Sequence, residues 1–386
     1  MKAVVLGGAG VEGSYAAQCL AESDTFPEVC IADINRVRGE ELSKTNEKMI
    51  YRYVDVTDKG NISDVIKDAD VVVNCVGPFY KYAPLILETV IEKGINYVDI
   101  CDDYDATQIL LDKFHGKAEK AGVTCIIGLG ASPGLTNILA AYSAEKLTSV
   151  KDITVYVTRG LQEEAGGAIP YHMLHCWLGE IPVFRNKKFE KARGLVDGKE
   201  YTTFPEPFGE AAVYYFGHPE TVTIPRYIEG VENVCCKGTF IPNEFREALL
   251  QAEAFGLLSD QPIYVKGHEI TPLDFTASFI GVLGKRILSS GLKTPVGGSV
   301  MVKVVGEKDG EPVMHLYSGT ARMKEGTATP AAVGAEMLVK NEINKPGVYA
   351  PEGCVPPKKF LSSLIGRRGF GDVFIAVQEK FTGQLP

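Results

Sequence analysis

Long apolar runs are missing from this 386-residue sequence: it has no stretch of eighteen apolar residues, so we expect no membrane-spanning helix. Positive charge is also the minority, because 40 Lys and Arg oppose 49 Asp and Glu and leave a net charge of −9. An acidic balance of this kind argues against a nucleic-acid partner. The N-terminus lacks an apolar signal region, since Met1 leads directly into a strand pattern. We therefore expect a soluble, cytoplasmic protein without membrane or nucleic-acid partners.

The cysteines lack the spacing of a disulfide framework or a zinc site. Nine of them are scattered along the chain, the number is odd, and none form a C-x-x-C pair. The sequence also contains no Ser-His-Asp order, no P-loop and no H-E-x-x-H motif. These absences predict reduced thiols and no metal site. They also argue against the chemistry of a Ser-His-Asp triad, a P-loop or an H-E-x-x-H motif.

The sequence does contain a dinucleotide-binding pattern at its start. An apolar run at Lys2–Leu6 is long enough for one buried strand, and Gly8, Gly10 and Gly13 follow in the spacing G-x-G-x-x-G. Gly8 permits a tight turn, Gly10 lets a pyrophosphate approach the backbone, and Gly13 lets the next helix pack closely on the strand. Residues 11–21 are predicted to form that helix, whose N-terminus presents N–H groups and a positive dipole end to the phosphates.

A second apolar strand ends in Asp33, twenty positions beyond Gly13, where a Rossmann fold places the carboxylate that binds the adenosine ribose. Asp33 favours NAD, because it would repel the 2′-phosphate of NADP. Arg36 keeps NADP possible, since a nearby arginine pairs with that phosphate. The alternative is a structural βαβ unit with a solvated Asp33. Further cofactor contacts are predicted at strand ends and in the first helical turn: Val11, Glu12, Ile34, Asp55, Val56, Cys75, Val76, Gly77 and Pro78.

The order of strand and helix patterns predicts an α/β protein. Residues 1–130 alternate between the two, which indicates a Rossmann doubly wound parallel sheet. From about residue 153 the pattern changes to a second α+β domain containing a mixed sheet, with a hairpin turn at 308–310. Residues 160–210 are rich in Gly, Pro and charge and are interpreted as a long structured loop region. Residues 348–357 are interpreted as a turn-rich return segment.

Two adjacent carboxylates, Asp102 and Asp103, follow a predicted strand and should lie at its cleft edge. Such a pair can bind a substrate ammonium. Alternatively, one carboxyl group can have its pKa raised into a range useful for proton transfer, and Asp103 is favoured over Asp102 for either role. A solvated loop, or a helix cap formed by Asp103, is the competing interpretation. Tyr80 either lines the substrate pocket as a catalytic candidate or caps a helix. His172 lies three positions before His175, and packing or a substrate contact is favoured over a metal pair.

These residues resemble the saccharopine dehydrogenase family, in particular its lysine dehydrogenases and saccharopine dehydrogenase-like oxidoreductases. The segments that carry the resemblance are spread over most of the chain: Gly8 to Gly13 with Asp33, 73–80, 94–99, 128–137, 217–221, 224–226, 329–338, 347–348 and 351–352. The resemblance implies a Rossmann domain of residues 1–130 completed by 328–386, a substrate-binding and dimerisation domain of residues 131–327, and a homodimer.

The resemblance also implies NAD(P)-dependent oxidation of a C–N bond in a lysine- or saccharopine-like amino acid, by hydride transfer through an imine. Saccharopine reductases carry an acidic residue where this chain has Ser132, which argues against saccharopine itself. Ser132, Pro133, Gly134, His172 and Arg226 are the expected substrate contacts, with the helix after Gly134 binding the carboxylate through its N-terminus. Arg159 and Arg322 are further candidates. A carboxynorspermidine-type polyamine reductase and a non-catalytic dinucleotide-binding redox sensor remain alternatives.

Overall fold

The computed structural model describes residues 1–162, 166–289, 291, 294–367 and 375–380. Strands and helices alternate without exception through the first 126 residues, because strand segments of three to six residues, most of them apolar, alternate with helical segments. The elements are β1 Lys2–Leu6, α1 Val11–Glu22, β2 Glu28–Asp33, α2 Arg36–Ser43, β3 Met49–Tyr53, α3 Lys59–Ile66, β4 Val71–Asn74, α4 Phe79–Glu92, β5 Asn96–Asp99, α5 Tyr104–Ala121 and β6 Thr124–Ile126.

The rest of the described chain is richer in long strands. Its elements are α6 Leu135–Ala144, β7 Ser149–Gly160, α7 Ile169–Cys176, β8 Glu180–Arg185, β9 Lys188–Arg193, β10 Glu200–Phe204, β11 Gly209–Tyr215, α8 Pro219–Tyr227, β12 Asn233–Ile241, α9 Glu244–Ala254, β13 Ile263–Val265, β14 His268–Ile270, α10 Pro272–Ser289, β15 Gly298–Lys308, β16 Glu311–Ala321, α11 Met323–Val339, β17 Gly347–Tyr349, α12 Pro351–Cys354, α13 Pro357–Leu364 and β18 Ile375–Lys380.

Seven strands form a parallel sheet in the order β17-β6-β5-β4-β1-β2-β3. Its central strands are buried on both faces, as continuous apolar runs in a parallel sheet require. Helix α11 packs against α1, β4 and β5 and so covers part of this sheet. The predicted Rossmann sheet is confirmed. The interpretation of 348–357 as a turn-rich return was wrong for its first residues, because β17 pairs in parallel with β6.

The second sheet is mixed, as the sequence predicts. Strand β7 lies at its centre, parallel to β12 and antiparallel to β15. The predicted hairpin joins β15 to β16 through Asp309 and Gly310, which both have positive φ. The boundaries at residues 130 and 328 remain a prediction.

The interpretation of residues 160–210 as a loop region was wrong. This stretch contains helix α7 and strands β8, β9 and β10. Strand β9 is almost entirely exposed and charged, so it lacks the apolar alternation by which a strand is recognised. Helix α7 is held against α10, where the Tyr171 hydroxyl donates to Asp274 Oδ1 at 2.8 Å. Among the described residues, no helix is both long and apolar enough to cross a bilayer.

Candidate active site

A cavity of about 850 Å³, called the cleft below, runs along the carboxyl edge of the parallel sheet toward α7. Most of the predicted site residues line it, because parallel strands end at one edge and their loops meet there. These are Gly10, Val11, Glu12, Gly13, Asp33, Ile34, Asp55, Val56, Cys75, Val76, Gly77, Pro78, Asp102, Asp103, Ser132, Pro133 and His172. Five predicted residues do not line the described cleft: Gly8, Arg36, Tyr80, Gly134 and Arg226.

The glycine loop leaves room for a ligand at one end of the cleft. A Cβ on Gly13 would lie 2.2 Å from the carbonyl oxygen of Gly7, so only glycine lets α1 pack this closely on the turn. A Cβ on Gly10 would meet only that same oxygen, at 3.1 Å, and a longer side chain would extend into the cleft. Gly8 supports the turn from outside, donating its N–H to the carbonyl of Ala32. This cradle fits the pyrophosphate of a dinucleotide.

The carboxylate of Asp33 lies against the glycine loop. Its Oδ2 accepts from the Ala9 N–H at 2.9 Å and its Oδ1 from the Asn35 N–H at 2.8 Å. Arg36 lies outside the cleft lining but close enough for its charge to act on Tyr51, whose hydroxyl donates to the carbonyl of Asp33 at 3.0 Å. At this end, the carboxylate-bearing Asp33 therefore lines the cleft, and the guanidinium of Arg36 lies nearby.

Gly77 connects the first sheet to the second part of the chain. A Cβ on Gly77 would lie 2.8 Å from the Cβ of Ala168, the residue before α7. The absence of a side chain thus lets the loop after β4 touch the start of α7. Both Gly77 and Ala168 line the cleft. The predicted cofactor loop and the helix that carries His172 are in direct contact.

Asp103 and His172 form a buried pair at the far end of the cleft. Asp103 Oδ1 lies 3.0 Å from His172 Nδ1, and Asp103 Oδ2 accepts from the backbone N–H of Tyr80 at 3.1 Å. Asp103 occupies the N-cap position of α5, but its side chain makes no capping hydrogen bond with any described residue. The competing interpretation of Asp103 as a helix cap is therefore wrong.

The charges around this pair shift the pKa of each member. Burial lowers the pKa of His172, but the carboxylates of Asp102 and Asp103 outweigh it and raise that pKa above its ordinary value. Burial raises the pKa of Asp103, and His172 more than reverses this, so the pKa of Asp103 is lowered. Asp102 lies 3.4 Å from His172 Nδ1, and burial raises its pKa. The arrangement lets the Nδ1–H bond to carboxylates while Nε2 accepts or donates a proton.

Tyr80 contributes through its backbone rather than its hydroxyl. Its ring lies 4.7 Å from that of His175, which bonds Asp105 at 3.0 Å outside the cleft. Tyr82, two positions later, lines the cleft instead. His172 and His175 share one helix face, as the spacing predicts, and each meets a different carboxylate.

Sequence reasoning missed a second carboxylate–imidazole pair. Glu220 is fully buried and accepts from Ser132 Oγ, from Thr136 Oγ1 and from His218 Nδ1, each at 2.6 Å. The ring of His218 lies 5.6 Å from that of His172. The segment containing His218 and Glu220 carried the family resemblance, but nothing in its spacing assigned a role. Glu220 places a carboxylate beside Ser132, the position where saccharopine reductases carry an acid.

The N-terminus of α6 is already occupied by the chain itself. The Gly134 N–H donates to Asn137 Oδ1 at 2.8 Å, that of Leu135 to the Gly130 carbonyl, and that of Thr136 to the Ala131 carbonyl. This helix start offers a substrate carboxylate none of these three donors, contrary to the expectation from the sequence. Ser132 and Pro133 remain in the cleft.

The expected role of Arg226 is not supported by its position. Its guanidinium pairs with Asp112 at 2.8 Å, outside the cleft, on an exposed face. Arg159, at the end of β7, lines the cleft, and its charge acts on His172. Arg322 lines a small adjoining cavity. Of the three candidate arginines, Arg159 is the one that lines the cleft together with Asp103 and His172.

Two buried sets of side chains each bring an imidazole nitrogen, a carboxylate oxygen and a thiol sulfur within 4.8 Å of one another. The members are Asp103, His172 and Cys176 in one set, and His218, Glu220 and Cys236 in the other. The sequence prediction of no metal site used spacing along the chain. Tertiary contacts assemble these sets, so spacing could not detect them.

Comparison with known proteins agrees with this architecture. The chain is 20% identical to carboxyaminopropylagmatine dehydrogenase of Synechocystis sp., with 100% of this chain and 99% of the relative covered. It is 26% identical to carboxynorspermidine synthase of Vibrio cholerae, with 94% of each covered. The structure of apo saccharopine dehydrogenase (L-Glu forming) from Saccharomyces cerevisiae has the same fold, with a TM-score of 0.69, 15% identity, and coverage of 98% of this chain and 99% of that one.

Two family models match nearly the whole sequence. Residues 3–126 match the saccharopine dehydrogenase NADP binding domain, and residues 130–370 match the saccharopine dehydrogenase C-terminal domain. The resemblance read from the sequence is thereby confirmed, and the chain belongs to the saccharopine dehydrogenase family of oxidoreductases.

Proposed function

We propose that this protein is an NAD(P)-dependent oxidoreductase that acts, through an imine, on the C–N bond of an amine bearing a carboxylate. The observation that carries the proposal is the pair of Asp103 and His172, which faces the same cleft as the glycine loop. Hydride transfer at carbon needs a proton acceptor for nitrogen beside the cofactor pocket, and the pair supplies one.

The proposed reaction is an oxidation of the amine followed by hydrolysis of the imine. In the oxidative direction the C–H bond next to nitrogen breaks, its electron pair leaves with the hydrogen as hydride, and nitrogen forms the imine. Water then adds and the C–N bond breaks, giving a carbonyl and a free amine. The sum is substrate, NAD(P)⁺ and water going to carbonyl, amine, NAD(P)H and one proton. The bound nicotinamide supplies the hydride acceptor; the chain supplies the proton transfers and the positioning.

Each polar residue at the far end then has a role. His172 takes the proton from the substrate amine at Nε2, because only a neutral amine loses hydride. Asp103 is a positioning residue that holds the Nδ1–H, so that Nε2 stays open as the acceptor. Asp102 faces the cleft and binds a substrate ammonium, and Arg159 binds the carboxylate.

NAD is the proposed cofactor, with NADP the alternative. The inward carboxylate of Asp33 would hydrogen-bond ribose hydroxyls and repel a 2′-phosphate. Arg36, whose charge acts on Tyr51, is the residue through which NADP would be accepted instead. The matching family domain is described as NADP binding, so both nucleotides belong in the test.

The substrate is either a lysine- or saccharopine-like amino acid or a carboxylated polyamine. The two relatives described above, which cover 100% and 94% of this chain, bear names of carboxylated amines of the polyamine type, which favours the second class. A non-catalytic redox sensor would need no proton-transferring pair facing its cofactor, so the geometry favours an enzyme. A homodimer and a cytoplasmic location remain predictions.

The test is a screen for NADH or NADPH formation from amino acids and carboxylated polyamines at alkaline pH, and for the reverse reaction from amines and carbonyl acids. His172→Asn should abolish the activity that is found. His175→Asn is the matched control, because His175 lies on the same helix but pairs with Asp105 outside the cleft. Activity that survives in His172→Asn would reject the assigned base.

A further inference from the structure

Three side-chain atoms of the kind that bind zinc, from Asp103, His172 and Cys176, lie within 4.8 Å of one another beside the cleft. Asp103 Oδ1 lies 3.0 Å from His172 Nδ1, Asp102 Oδ1 lies 3.4 Å from the same nitrogen, and Cys176 Sγ lies 3.6 Å from Asp103 Oδ1. His172 and Cys176 are four residues apart on α7, so their side chains lie on one face. The two aspartates approach that face from the loop after β5.

The spacing of these atoms is close to that around a bound zinc ion. Zinc takes four ligands tetrahedrally, at about 2.0 Å from nitrogen or oxygen and about 2.3 Å from sulfur, which puts the ligand atoms roughly 3.3–3.6 Å apart. Asp103 Oδ1 lies 3.0 Å from His172 Nδ1 and 3.6 Å from Cys176 Sγ, and the three ligand atoms all lie within 4.8 Å of one another. Zinc would take its fourth ligand from water or, after a side-chain movement, from Asp102, whose Oδ1 lies 3.4 Å from His172 Nδ1. The Tyr80 N–H holds the other oxygen of Asp103 at 3.1 Å, as an outer contact that orients a ligand.

We infer that Asp103, His172 and Cys176 form a zinc site whose occupancy switches the enzyme off. Zinc on Nδ1 takes the place of the proton that His172 shares with Asp103, so the remaining ring proton is carried on Nε2. A ring in that form donates from Nε2 and accepts nothing there, so it cannot take the substrate proton. This switching effect rests on the proposed function of His172, whereas zinc binding itself does not.

The second buried set is a poorer site. Glu220 already accepts three hydrogen bonds, from Ser132, Thr136 and His218, and the thiol of Cys236 accepts from Thr221. Neither His218 nor Glu220 lines the described cleft, so an ion has no evident route to them. His172, Asp102 and Asp103 do line it, which gives zinc an entry path.

The binding experiment uses the full-length, chelator-treated protein. Zinc is titrated against a chromogenic chelator, and cobalt is substituted to detect sulfur ligation by thiolate-to-metal charge-transfer absorption in the near ultraviolet. We expect one ion per chain and a charge-transfer band in the wild type. Cys176→Ser should lose the band and weaken zinc binding by at least ~10-fold. Cys236→Ser, the matched control in the second set, should retain both the charge-transfer band and the wild-type affinity for zinc.

Absence of the band in the wild type, or an unchanged band in Cys176→Ser, would overturn the site. Circular dichroism and NADH binding show whether Cys176→Ser folds, and Cys176→Ala serves as the second variant. In the activity arm, stoichiometric zinc should inhibit turnover, a chelator should restore it, and Cys176→Ser should resist inhibition. Zinc binding without loss of activity would refute the switch. If the protein binds zinc but shows no turnover, the zinc site would be supported and only the proposed oxidoreductase function would be rejected.

Discussion

His172 and Asp103 are 69 positions apart in sequence, yet their side chains lie 3.0 Å from each other. The aspartate stands at the carboxyl edge of the parallel sheet, and the histidine is delivered by α7 from the other part of the chain. Neither the parallel-sheet part of the chain nor the part that contains α7 supplies both Asp103 and His172. The proton-carrying function we propose therefore exists only when α7 is docked on the first sheet.

The first prediction concerns Asp103→Asn. The amide loses the charge that orients the imidazole, so kcat should fall roughly 10²- to 10⁴-fold while cofactor affinity and KM change little. Steady-state kinetics and NADH titration check this. Asp105→Asn, which removes the equivalent partner of His175, is the control and should keep kcat near the wild-type value. Equal losses in kcat for both variants would assign Asp103 a merely structural role.

The second prediction contrasts two glycines of the loop. Gly10→Val should abolish NADH binding with little loss of thermal stability, because Gly10 has extended dihedral angles and its side chain would enter the cleft. Gly13→Val should instead unfold the domain, because its Cβ would clash with the Gly7 carbonyl at 2.2 Å. Fluorescence titration and thermal melting distinguish the two. A Gly10→Val protein that binds NADH normally would place the phosphates elsewhere.

The third prediction separates the two cofactors. Asp33→Ser should weaken NAD binding and improve NADP binding, because it removes the carboxylate that repels a 2′-phosphate. Arg36→Ala should leave NAD unchanged, since Arg36 lies outside the cleft. Dissociation constants for both nucleotides check this. A wild type that prefers NADP, and loses that preference in Arg36→Ala, would show that the guanidinium dominates.

The fourth prediction compares two arginines. Arg159→Ala should raise KM for a carboxylate-bearing substrate by at least ~10-fold, because a charge-assisted hydrogen bond is worth roughly 1.5–3 kcal/mol. Arg226→Ala should leave KM unchanged, because its partner is Asp112 on the surface. The reverse result would restore the role that the sequence assigned to Arg226.

The fifth prediction is a pH dependence of stability. Burial raises the pKa of Glu352 to about 7, so the folded state holds its proton more tightly than the unfolded state does. Its contribution to stability is present at low pH and is lost as pH rises through about 7, by at most about 3 kcal/mol. Glu352→Gln should therefore gain stability over wild type at about pH 8 but not at about pH 5. The exposed Glu229→Gln should show no such difference in denaturant unfolding.

The cofactor end of the cleft was predictable because residues close together in the sequence form it. Gly10, Gly13 and Asp33 lie at the ends of two adjacent apolar strands, and the rules for parallel sheets place such ends together. The parallel sheet itself followed from runs such as Val71–Asn74, which are buried on both faces.

The substrate end could not be predicted in the same way. Helix α7 lies in a stretch rich in glycine, proline and charge, which hides its periodicity. The partners of Arg226 and Ser132 are Asp112 and Glu220, and no local pattern links either pair. Side chains that meet only through tertiary packing have no characteristic spacing in the sequence, so their contacts cannot be predicted from it.

The pairing of β17 with β6 constrains how this protein is made. The parallel sheet begins at residue 2, but its last strand is Gly347–Tyr349. A nascent chain must therefore wait, with the edge of β6 uncovered, until residues 347–349 have left the ribosome. An uncovered edge recruits other strands, so premature termination before residue 347 should yield aggregates rather than a smaller folded domain.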